Sequence, residues 1–108
     1  MTANGNYFVE TWKGDSPAGE AELRRLLGEQ GLSAYRWSNS PGDVYGAHSH
    51  PFHKIIYVLQ GSITFILPEQ DVQVTLNSGD RLDLPREVVH EAVVGPQGVI
   101  CLEAHQDG

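Results

Sequence analysis

The sequence predicts an all-β fold, a closed barrel or sandwich of short strands with one N-terminal accessory helix. Three observations carry this. From residue 33 onward, short runs rich in β-branched and aromatic residues recur at near-regular spacing. Clusters of Gly, Pro, Asn, Asp and Ser separate these runs and read as turns. One stretch alone has helical periodicity.

The first strand is expected over 7–12, where Tyr7, Phe8, Val9, Thr11 and Trp12 have strand-forming side chains. The helix follows. Ser16 is expected to cap it, Pro17 suits the first helical position, and Leu23, Leu26 and Leu27 form an i, i+3, i+4 stripe. Glu20, Glu22 and Arg24 leave the opposite face solvated, and Gly31 ends the element. Further strands are expected over 33–38, 44–47, 54–60, 62–67, 72–76, 81–84, 90–94 and 99–104. The intervening turns are 40–43, Gln60-Gly61, 68–71, 77–80 and 95–98. The expected organisation is one domain over 1–108, with a strand and helix in 1–31 and a barrel core at about 33–104.

Bulk composition narrows the function. A chain of 108 residues with 40% apolar and 19% charged side chains suits one globular core. The net charge of −7, with only seven scattered Lys and Arg, argues against a nucleic-acid partner, which needs a basic face. No leader pattern opens the sequence, and no apolar run approaches membrane-spanning length, so a cytoplasmic protein without a membrane partner is expected. The single cysteine, Cys101, lies in the apolar run Val99-Ile100-Cys101-Leu102 and is expected to be a packed core thiol. No Ser-His-Asp or Cys-His arrangement stands out, and no Gly-rich phosphate loop occurs.

The histidines carry the chemistry. On an extended strand, His48 and His50 place both imidazoles on one face, side by side as a divalent transition metal accepts them. His90 opens a later strand after the rigid corner at Pro85, and a barrel can bring it beside that pair. His53 has the opposite parity and is expected to be an outward or rim residue, although a bulge at Pro51 would change that. His105, near the polar tail 106–108, is expected to be solvated. Arg81 and Asp83 face away from Leu82 and Leu84 and are expected to form a solvated pair. Tyr35, Trp37 and Tyr45 are placed to border a pocket.

Two stretches resemble the cupin superfamily. Gly42 through His48, His50 and Lys54 to Gly61 resembles the first cupin motif, G-x5-H-x-H-x3-E-x6-G; Gly79, Pro85 and His90 resemble the second, G-x5-P-x-G-x2-H-x3-N. The resemblance implies a small jelly-roll barrel, commonly a homodimer paired through its sheet edges. It also implies one divalent transition metal (Fe, Mn, Ni or Zn) on the residues matching His48, His50 and His90. The departures are specific: Lys54 stands at the motif's glutamate ligand, Glu87 at the second motif's glycine and Val94 at its asparagine. An ammonium has no lone pair to donate.

Three arrangements of Lys54 follow. It can leave a three-histidine site and reach for an anionic substrate or an internal carboxylate. It can instead fill the metal's place, so that the barrel binds only an organic ligand. Finally, His53 can take the vacant coordination position. If Lys54 points inward, Ile56 and Val58 should do so too. The resemblance implies metal-dependent dioxygenase, isomerase or decarboxylase chemistry on a small molecule, with Lys54 as anion anchor or proton donor. The alternative is a non-catalytic binding or sensing module.

Overall fold

A computed structural model describes residues 6–106, and these form seven strands and one helix. In order they are β1 (Phe8–Glu10), α1 (Glu20–Glu29), β2 (Tyr35–Asn39), β3 (Val44–His48), β4 (His53–Leu67), β5 (Val72–Leu76), β6 (Arg81–Leu84) and β7 (His90–Gln106). Asp107 and Gly108 of the polar tail lie outside the described residues.

β4 and β7 are long because each serves two layers. The first half of β4 pairs with β6 and the last part of β7, while its second half pairs with β5 and the first part of β7. One layer thus runs β1-β6-β4-β7-β2, and the other runs β5-β4-β7-β3, all antiparallel. Two sheets sharing their bent central strands make a jelly-roll barrel.

The expected break at Gln60-Gly61 is therefore not a chain reversal. Register shifts there bend a continuous strand. Gly61 has φ +80°, and a Cβ on it would stand 2.0 Å from the Gly98 carbonyl oxygen, so the corner needs glycine. The turn expected over 95–98 is likewise an excursion within β7. Val94 and Val99 pair with Ile63 and Gly61, leaving four β7 residues opposite Ser62.

Alternation sorts the side chains. Ile56, Val58, Leu82, Leu84 and Cys101 join Ile63 and Phe65 in the core between the sheets, matching the inward parity expected for Ile56 and Val58. Burial raises the Cys101 thiol pKa to about 12, so it stays protonated. Ile55, Tyr57, Leu102 and Ala104 face the other way and are covered by Leu23 and Leu27 of α1.

The helix begins later than expected. Gly19 occupies the N-cap without a side-chain hydrogen bond, and the Ser16 carbonyl instead accepts the Trp12 indole N–H at 2.8 Å. Its end is as expected: Gly31 has φ +76°, with Leu32 N bonded to Leu27 O and Gly31 N to Gly28 O, a Schellman closure.

The Arg81–Asp83 pair is not solvated as expected. Arg81 is buried beneath α1, with Nε 2.6 Å from Asp83 Oδ1 and an Nη reaching Gln30 at 3.2 Å. The parity was right, but the helix covers that face. Among the described residues no helix is long and apolar enough to cross a membrane.

Candidate metal centre

Pairing places His48 at the end of β3 directly opposite His90 at the start of β7. His50 follows in the loop before β4, and its carbonyl accepts the Glu87 N–H at 2.7 Å, which ties that loop to the turn preceding His90. The three rings converge. Centroid separations are 4.9 Å for His48–His50, 4.3 Å for His48–His90 and 5.3 Å for His50–His90. One nitrogen from each lies within 4.8 Å of the others, within reach of one metal ion.

The nitrogens have the chemistry that a metal requires. His48 Nδ1 lies 2.7 Å from the Gly46 carbonyl and His90 Nδ1 lies 3.0 Å from that of Val88. A carbonyl only accepts, so each Nδ1 carries a proton, and in the neutral ring the lone pair is on Nε2. Nε2 of His50 and of His90 are buried without a hydrogen-bond partner. Burial pushes the His90 pKa down to about 4. Burial also lowers that of His50, helped by the charge of Lys54 and by His48. Three converging imidazoles, two of them with buried and unsatisfied Nε2 atoms, fit a divalent transition metal.

These rings sit in a cavity of about 460 Å³ that also contains Trp37, Lys54, Phe65 and Glu103. The register explains the grouping, since Lys54 pairs with His105, Ile56 with Glu103 and Tyr35 with Glu103. Lys54 Nζ lies 3.4 Å from Glu103 Oε2, so an internal carboxylate stands where one of the three arrangements requires it. His53 is elsewhere, with Nε2 3.0 Å from Asp83 and outside the three-histidine group. Tyr35, Trp37 and Tyr45 all line the cavity.

Glu103 and His105 escaped the sequence reading. Glu103 is only 5% exposed and accepts from Tyr35 Oη at 2.6 Å, Trp37 Nε1 at 3.0 Å and His105 Nε2 at 2.7 Å. Burial alone would raise its pKa, but Tyr35, His105 and Lys54 outweigh it and hold the carboxyl below its usual range. His105 is exposed, as expected, but it also lines the same cavity, which the sequence did not indicate. The available signal was parity: Glu103 and His105 follow the core thiol Cys101 at intervals of two along one strand.

A family model for the cupin domain matches residues 35–102. Among solved structures, an RmlC-like cupin from Shewanella frigidimarina is 26% identical with a TM-score of 0.61, over 71% of this chain and 67% of that one. KdgF from a Halomonas species is also 26% identical, with a TM-score of 0.58 over 68% and 67%. The polyketide cyclase RemF from Streptomyces resistomycificus is 29% identical with a TM-score of 0.60; the match covers 68% of this chain and 54% of that protein. A search of curated proteins returned no match.

Proposed function

The chain belongs to the cupin domain family, and from that premise we propose that it is a metal-dependent enzyme acting on a small, anionic molecule. Its metal, one of Fe, Mn, Ni or Zn, is held by His48, His50 and His90. The observation that carries this reading is the convergence of three imidazoles with two orphaned, buried Nε2 atoms. A bound divalent ion supplies a Lewis-acid centre with open coordination positions.

The chain's own residues do the rest. Lys54, whose side chain is 12% exposed, offers ammonium hydrogens to an anionic group. Phe65, Ile56 and Ile63 wall the cavity with apolar surface, which excludes water and strengthens charge interactions inside it. The related RemF is a polyketide cyclase, which agrees with an enzymatic role.

A second reading is a binding module without turnover. It is favoured by the Lys54–Glu103 contact, which already neutralises the ammonium within the protein.

Metal content tests the first reading. Tag-free protein purified without chelators should carry close to one transition metal per chain, and His90→Ala should lose it while keeping its strand content. Absence of metal after incubation with Fe(II), Mn, Ni and Zn would contradict the metal site. Binding of small carboxylates without conversion by the metal-loaded protein would favour the module.

A further inference from the structure

The Glu103 cluster lies at the cavity wall beside the three-histidine group and does something that group does not need. Glu103 is held as an anion by Tyr35, Trp37, His105 and Lys54. An anionic carboxylate only accepts hydrogen bonds, so His105 Nε2, 2.7 Å from Oε2, must carry the ring proton. The same N–H lies 3.2 Å from Tyr35 Oη, which can accept because its own hydrogen goes to Glu103. The lone pair of neutral His105 is therefore on Nδ1. Phe52 stacks on this ring at 4.1 Å and 27°, and on its other neighbour, His50, at 5.0 Å and 22°. The imidazole is thus fixed in plane and tautomer, while 35% of its side chain stays exposed.

We infer that His105 is the proton-transfer residue of this cavity, with Glu103 as its positioning residue. This rests on the reading of the cavity as a metal and small-molecule site. The ligand class it serves is an anionic carbon acid or enol, a molecule whose C–H or O–H lies next to a carbonyl. In the step, the ligand's C–H or O–H bond breaks, its electron pair stays on the ligand, and the proton bonds to Nδ1. The resulting imidazolium is stabilised by Glu103 across Nε2–H, and the proton returns to the ligand or passes to solvent. No oxidant or reductant is consumed. The charged and titratable groups around His105 are Glu103 on its own strand, Tyr35 on β2, Lys54 on β4, its register partner, and His50 across the Phe52 ring.

Two measurements test it. Long-range ¹⁵N–¹H correlation on histidine-labelled protein, at a pH where His105 is neutral, should show its hydrogen on Nε2; a hydrogen on Nδ1 overturns the inference. With pyruvate as the probe, the metal-loaded protein in D2O should exchange the methyl protons faster than buffer. His105→Gln should lose at least about 100-fold of that exchange with unchanged metal per chain. Glu103→Gln should lose exchange too, and its ¹⁵N spectrum should show mixed His105 tautomers. Exchange no faster than buffer, or equal exchange in wild type and His105→Gln, overturns the role of His105. A wild-type protein that holds no metal overturns the reading of the site instead, and the tautomer measurement still stands on its own.

Discussion

His90 is 3% exposed, with Nδ1 on a backbone carbonyl and Nε2 facing the other two imidazoles. That placement makes metal-free protein sensitive to acid. Burial holds the folded pKa near 4, while an unfolded chain binds the proton near the ordinary value of 6.5. Between those values the unfolded state carries more protons, so stability falls as pH falls through this window. The expected loss is about 3 kcal/mol between pH 7 and pH 4. Urea unfolding of chelator-treated protein across that range measures it, and His90→Gln should flatten the slope; an equal slope in the variant would assign the acid sensitivity to other groups. Glu87 supplies a second prediction at this scale. It has φ +62°, a left-handed conformation, at the position where the second motif has glycine. Glu87→Gly should relieve about 1 kcal/mol of backbone strain, offset in part by glycine's chain entropy, and so raise the thermal midpoint slightly. A lower midpoint would show that the Glu87 side chain contributes more than its conformation costs. Lys54 was legible as inward by parity with His48 and His50, but its partner was not. The contact with Glu103 joins residues 49 positions apart, and only strand pairing brings them together.

At the scale of elements, β5 and β6 were legible residue for residue, because alternation and flanking turns agree there. The two long strands were not. Gly61 and the 95–98 stretch have turn chemistry, and local sequence does not distinguish a chain reversal from a corner within one strand. The corner depends on Gly61 lying against Gly98. Gly61→Ala should therefore cost about 2–3 kcal/mol, combining a positive φ with a backbone clash. Chemical denaturation checks this, and a cost below about 1 kcal/mol would mean that the corner yields without strain. The start of α1 was missed for a related reason: Ser16 and Pro17 have cap chemistry, but the Trp12 indole engages Ser16, and the helix starts three residues after Pro17.

At the scale of the whole molecule, the two sheets, the apolar core between them and the cover of α1 bring His90 beside the neighbouring His48 and His50, a meeting made only in the folded barrel. The histidine group was legible because its spacing matches two motifs. The Glu103 cluster was not, since no motif spans Tyr35, Lys54, Glu103 and His105. The central claim is that these three imidazoles hold one metal while Lys54 stays on Glu103. Anomalous X-ray scattering from crystals grown with the metal present locates the ion directly. One peak per chain is expected, at about 2.0–2.1 Å from Nε2 of His48, His50 and His90, with Lys54 Nζ outside bonding distance. A peak on Glu103 and His105, or no peak with Lys54 Nζ among the three rings, would contradict it.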